Sequence, residues 1–228
     1  MLRQVKFFLM VCLVMLRPAS GLLAAEEHVL QDLATTTVDA QGKEQHSISL
    51  EVVDYFLKRI AEHAKDYPPK FDSEEQRRTI EHELQSVILA LAVVVQQQPL
   101  VPDPLLRLGY AWSMAYNLDA PGSAEETSHC FQQLLAVYPD HPQGNFYYGA
   151  FLAHTKTGQR ASIPYLEKAV TMGVDDALFT LGFVHLSLED KDQAMTYWRQ
   201  YLSKHPDNTL VQAMLESAQS GKMTRAVE

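Results

Sequence analysis

The chain has 228 residues, of which 46% are hydrophobic and 21% charged, and its formal net charge is −9. That length accommodates one or two domains, and the composition is that of a globular chain, which excludes a wholly disordered one. The excess of acid disfavours nucleic acid and anionic lipid as partners, because phosphates call for cations.

The first element is a targeting segment. Arg3 and Lys6 precede an unbroken apolar run from Phe7 to Leu16, which Arg17 and Pro18 end. Ala19-Ser20-Gly21 supplies the small-x-small pattern of a signal cleavage site, and a second cut is available after Ala25. The run falls well short of the ~20 residues that span a bilayer, so residues 1–21 read as a removable signal. No membrane insertion is expected once it is gone. The expectation is an exported protein, periplasmic in a cell with two membranes and otherwise secreted or surface-associated. Removing residues 1–21 takes away three basic residues and no acid, which deepens the net charge from −9 to −12. Cys130 then remains as the single cysteine. No internal disulfide is expected, and Cys130 reads as a small hydrophobe at a helix interface.

Residues 22–46 hold a short helical pattern, Glu26 to Leu33, and then a polar stretch with Gly42. This segment is expected to be flexible or loosely docked. Residues 47–66 predict an amphipathic helix with Val53, Phe56, Ile60 and Ala64 on one face, stopped by Pro68-Pro69. A longer helix is predicted from Glu74 to Gln97, roughly 36 Å by helical rise. Its part from Val87 to Val95 is apolar on every side and reads as buried between neighbours. Asp103-Pro104 predicts a capped helix start, and Ser73-Glu-Glu-Gln76, Ser123-Ala-Glu-Glu126 and Asp190-Lys-Asp-Gln193 read as capping boxes. No window alternates with period two, so no sheet is expected.

From residue 102 onward the chain repeats itself. Gly149, Ala161, Tyr165 and Gly173 are matched, 33 residues later, by Gly182, Ala194, Trp198 and Pro206. Upstream, Phe131 and Pro139, and before them Leu91 and Pro99, keep the same eight-residue gap. Between Gly109 and Phe131 there are six more residues than between the later glycines and aromatics, and the surplus is predicted as a loop in Asn117–Ser123. A glycine in a first helix lets a second helix cross close to its backbone, a small residue answers it, and an aromatic fills the space a turn later.

This Gly…Ala…aromatic…Pro framework resembles the tetratricopeptide repeat family, here of an exported bacterial type. The resemblance covers about residues 102–206, and its cleanest copy is Gly182-Ala194-Trp198-Pro206. It implies an all-α fold, a right-handed superhelix of antiparallel helix pairs. Residues 47–99 would then be N-terminal helices with a degenerate repeat, 102–206 three repeats, and 207–221 a capping helix with Leu210, Met214, Leu215 and Ala218 on one stripe.

No constellation for catalysis, cofactor or metal appears. His82-Glu83 has no second histidine at metalloprotease spacing, and there is no Gly-rich phosphate loop or Gly-x-Ser-x-Gly elbow. A non-catalytic protein-binding module is expected. The family's geometry implies an inward-facing set: Leu106, Tyr110, Ser113 and Met114, then Phe146, Ala150, Ala153 and His154, then Phe179, Phe183, Leu186 and Ser187. The Lys, Asn and Arg with which one subtype grips a C-terminal carboxylate are missing from these positions. The groove reads as apolar and aromatic, suited to an amphipathic helix or extended apolar segment. Three other readings of the same residues stay open: packing within a tight superhelix, cover by residues 26–46, and a homo-oligomer face in a self-associating envelope subunit. A helical enzyme without recognisable motifs is the remaining alternative.

Overall fold

The structure is a computed structural model that describes residues 34–38, 44–155 and 157–220, with side chains from residue 47. The signal segment, the Glu26–Leu33 pattern and Gly221 lie outside these residues. A hairpin comes first: β1 (Ala34–Val38) pairs antiparallel with β2 (Glu44–Ile48), Ala34 opposite Ile48. This corrects the expectation of no strand. Thr35, Thr36, Thr37 and Val38 form a β-branched run that suits extended backbone without any alternation of polarity.

Nine helices follow among the described residues. They are α1 (Leu50–Ala64), α2 (Glu74–Gln97), α3 (Pro102–Asn117), α4 (Ser123–Val137), α5 (Pro142–His154), α6 (Gln159–Thr171), α7 (Asp176–Ser187), α8 (Lys191–Lys204) and α9 (Thr209–Gln219). Consecutive helices pack on one another, and α1, α3, α5 and α7 also touch in series. The result is a solenoid of helix pairs in which the first helices of the pairs form one layer and the second helices the other.

The second helices share a buried triplet. It reads Val87, Leu91 and Val94 in α2, then Thr127, Phe131 and Leu134 in α4. In α6 it is Ser162, Leu166 and Ala169, and in α8 Ala194, Trp198 and Tyr201. Each triplet is spaced by four and then three residues, which keeps it on one helical face. In the last three of these pairs a glycine of the first helix stands opposite its middle member. A Cβ on Gly109 would come within 3.0 Å of the Phe131 ring, and one on Gly149 within 2.7 Å of Leu166. At Gly182 it would collide with the indole of Trp198, whose Nε1 donates to the carbonyl of Phe179 at 3.3 Å.

Two spacings are corrected. In α6 the buried pair is Ser162 and Leu166, whereas Ala161 is exposed and Tyr165 only half-buried. The reason is turn length: residues 155–158 join α5 to α6, one more than the three that join α7 to α8. The surplus near residue 120 is only partly loop. Helix α3 runs eight residues past Gly109 where α7 runs five past Gly182, and α4 begins eight before Phe131 where α8 begins seven before Trp198. The turn itself holds five residues instead of three.

Helix ends follow local chemistry. Ser73 caps α2 by accepting from the Gln76 amide at 3.1 Å, while Gln76 reaches back to the Asp72 amide at 2.6 Å. Asp190 caps α8 through the Gln193 amide. Two expected caps differ. Helix α3 starts at Pro102 after Val101, with Asp103 inside its first turn. Helix α4 is preceded by Gly122 at φ +77°, and the Ser123 hydroxyl donates to the Ala120 carbonyl instead of capping. Gly173, at φ +85°, closes α6: its amide donates to Val170 and that of Val174 to Ala169, which satisfies two terminal carbonyls.

Helix α2 is long and apolar enough to cross a membrane by length and composition, yet half of that stretch is buried within the protein, packed on α1 and α3. It is not buried on every side, as the sequence suggested. Leu89 and Val93 remain 48% and 41% exposed.

The corrected register is testable. Ser162→Glu puts a charge at a fully buried position and should unfold the chain at room temperature, whereas Ala161→Glu should cost no more than about 0.5 kcal/mol. Thermal melts followed by far-UV circular dichroism separate the two; the reverse order would restore the 33-residue register.

Candidate functional site

The nine groove candidates lie on α3, α5 and α7, the layer of first helices. Leu106, Tyr110, Phe146, Ala150, Phe179 and Leu186 are half-buried, and His154 and Phe183 are exposed. Met114 is corrected: it is fully buried within the main core, in one cluster with Tyr148 and Phe151. Its unbranched thioether suits the irregular seam between successive repeats. Phe146 packs on the core around Leu166 and Ala169, so it serves the stack as well as the surface.

Two aromatic groups form along this face. Tyr110 of α3 stacks on Tyr147 of α5 with ring centroids 4.6 Å apart and planes inclined by 17°. At the far end Phe179 meets Phe183 edge-on at 4.8 Å, and the pair leans on Tyr201 and Trp198 of α8. Helix α9 packs on α8 through Val211, Met214 and Ala218, in the cluster that holds Trp198 and Tyr201. Phe183 is left 39% exposed.

Polar groups hold α3, which carries Tyr110, against α1. Arg107 Nε donates to Asp54 Oδ1 at 2.7 Å and Nη2 donates to Oδ2 at 2.8 Å, a two-pronged contact that ties α3 to α1. That hydrogen bond, ahead of the plain charge attraction, raises the Arg107 pKa. Asn117 Nδ2 donates to the carbonyls of Ala64 and Lys65 and joins the other ends of the same helices. Burial pushes Tyr110 up to about 12, with Tyr147 and Asp66 adding to it. Burial raises Tyr147 as well, reinforced by Asp176 and Asp54. Burial lowers His154 despite the opposing pull of Asp66.

Tyr147, Arg107, Asp54 and Asp66 are not among the sequence candidates. Arg107 sits four residues after Asp103, a spacing readable as a local helix pair, but its main partner lies 53 residues away. A cleft of about 470 Å³ also opens between α4 and α6, walled by Leu135, Ala136 and Tyr165 and floored by Tyr148. Cys130, buried beside Gly109, has its thiol pushed up to about 12 by burial, which fits a packing role.

A family model for the tetratricopeptide repeat matches residues 176–208, which span α7, α8 and the turn after them. These residues form a tetratricopeptide repeat, and the helix pairs before them share its fold. Solved structures agree on the fold. The crystal structure of TTC0263, a thermophilic tetratricopeptide protein of Thermus thermophilus, superposes with a TM-score of 0.54 at 15% identity, over 75% of this chain and 92% of that one. A crystal structure of MamA gives 0.54 at 17% identity, over 67% and 86% of the two chains, and a second gives 0.53 over 74% and 84%. No curated protein matches the sequence. The tetratricopeptide fold is in general a protein-interaction scaffold without catalysis of its own, and its layer of first helices is where the two aromatic groups stand.

The tyrosine pair can be read by titration. Between the ordinary value of 10.0 and about 12, native Tyr110 keeps a proton that the unfolded chain has lost. Stability therefore falls as pH rises through that window. Tyr110→Phe should remove part of the late step in absorbance at 295 nm and flatten the fall in denaturation midpoint above pH 10; loss from the ordinary step near 10.0, with the late step intact, would place Tyr110 in open water.

Proposed function

We propose that this tetratricopeptide protein is an exported adaptor or chaperone-like scaffold that holds apolar or amphipathic segments of another protein along its inner face. The observation that carries the reading is the Phe179–Phe183 group. In each earlier repeat the corresponding face meets the next first helix, α3 on α1, α5 on α3 and α7 on α5. After α7 the series continues with α9, which joins the cluster of Leu178 and Phe179 and still leaves Phe183 39% exposed. An apolar helical face is the natural complement of an exposed aromatic pair on a helical layer. Export is supported by the basic start, apolar run and small-residue cleavage pattern of residues 1–21.

A photo-reactive phenylalanine analogue at Phe183 or Tyr110 should crosslink one and the same protein in the native cell, and Phe179→Asp with Phe183→Asp should abolish that product. Equal labelling from Thr196, on the exposed face of α8, would sink the reading.

One observation favours self-association as a second reading. Leu89 and Val93 of α2 are exposed where α4, α6 and α8 place His129 and Gln133, Pro164 and Lys168, and Thr196 and Gln200. If this strip joins copies, light scattering will show a dimer that Leu89→Lys with Val93→Lys converts to monomer. A wild-type monomer throughout the concentration range removes this reading.

A further inference from the structure

Exposed apolar side chains are not spread evenly over the molecule. Of the ten large hydrophobic residues left exposed among the described residues, six sit in the C-terminal halves of α2 and α4 and the turns after them: Leu89, Val93, Leu100, Val101, Val137 and Tyr138. The two ends are joined, because Tyr138 Oη donates to the Leu100 carbonyl at 3.0 Å and Gln133 Nε2 donates to the Pro99 carbonyl at 2.9 Å. No charged residue occurs from 84 to 102 or from 130 to 139. The exposed face of α2 there reads Gln85, Leu89, Ala92, Val93 and Gln96. The corresponding parts of α6 and α8 carry Lys168, Arg199 and Lys204 instead. A charge-free apolar strip confined to one end of a solenoid is what a terminal cap covers.

The leading chain is delivered to this place. Helix α1 runs antiparallel to α2, and Arg59 Nη2 meets Glu83 Oε1 at 3.0 Å. Leu50, nine residues before Arg59, is therefore level with Ala92, nine residues after Glu83. Strand β2 ends two residues before Leu50 and packs on α2, and its Ile48 lies against the main core. The hairpin register returns Ala34 to Ile48. Whatever precedes Ala34 thus joins the structure alongside the second half of α2. Residues 22–33, which lie outside the described residues, run from the first expected cleavage site to that point. Val29, Leu30 and Leu33 are spaced to share one helical face, and either expected cut leaves them in place. As a helix residues 22–33 would measure about 18 Å, against roughly 16 Å for the strip from Gln85 to Gln96.

We propose that residues 22–33 cap this end of the solenoid: an amphipathic segment laid on the α2 strip, with Val29, Leu30 and Leu33 against Leu89, Ala92 and Val93. Its acidic residues meet no like charge on the strip, which carries none. A second copy of the chain is the rival occupant. A tethered segment acts at an effective concentration in the millimolar range, which a second copy in solution does not reach, so the chain's own segment takes the strip. The cap is the counterpart of α9, which covers α8 at the other end. It lies on the layer opposite the proposed cargo face, and the inference stands without that reading.

Two measurements test this on the full chain as purified from its own cell. In Leu30→Cys with Val93→Cys, mild oxidation should close a disulfide within one chain roughly tenfold faster than in Leu30→Cys with Thr196→Cys, whose second thiol sits on α8. Cys130 is buried and stays out of the exchange. Disulfide-linked dimers would overturn the proposal and give the strip to a second copy. Equal closure in the two variants would overturn it by reducing the contact to random encounter, and two thiols that stay free would leave the strip to another partner. Carbene footprinting needs no cysteine. Val29→Asp with Leu33→Asp should raise the labelling of Leu89 and Val93 severalfold over wild type, with far-UV circular dichroism unchanged; labelling equal to wild type would overturn the proposal on its own.

Discussion

How closely two helices of a pair can approach is decided by what stands opposite the middle of the buried triplet. At Gly109, Gly149 and Gly182 the answer is a hydrogen atom, and the space a Cβ would take belongs to Phe131, Leu166 and Trp198. Close-packed interiors tolerate neither a void nor an extra methyl at such a point, so this contact is held constant while other parts give way. The turns of five, four and three residues between the paired helices are where the chain gives way. What is preserved from pair to pair is therefore a packing relation and not a count of residues. The layer of first helices inherits its order from this: the three glycine-bearing pairs keep the same close contact, and α3, α5 and α7 meet side by side, with α1 joined to α3.

This explains which parts of the architecture are legible in the sequence. Helix α2 is bounded by a serine cap and by Pro99, and its predicted limits, Glu74 and Gln97, are those observed. Trp198 and Gly182 are each too distinctive in size to be misaligned, and residues 176–208 are the segment that the family model matches. The α6 register is not legible, because Ala161-Ser162 and Tyr165-Leu166 offer a small residue and a large apolar residue in either frame. Only the length of the preceding turn chooses between them. The hairpin escapes because its signal is β-branching and not alternation. Position alone assigns Met114 to the surface, and its burial depends on how the next repeat closes over it.

The inner face shows a similar division. Single positions such as Tyr110 and Phe183 can be placed from the repeat, since each follows its glycine by one residue. Their surroundings cannot, because these come from residues far apart in the chain. Arg107 and Asp54 are separated by 53 positions, and Asn117 reaches Ala64 and Lys65 across a similar gap. The electrostatic character of a solenoid surface is assembled between repeats, so a reading that proceeds one repeat at a time sees apolar residues and misses the charges that frame them.

The hairpin has a mechanical side. Its antiparallel register brings Ala34 back beside Ile48, two residues ahead of the start of α1. The hairpin, whose second strand packs on α2, thus stands at the first-repeat end of the solenoid, while Phe179 and Phe183 occupy the last full repeat. The length of the stack is therefore the distance that separates the molecule's one stretch of sheet among the described residues from the Phe179–Phe183 pair.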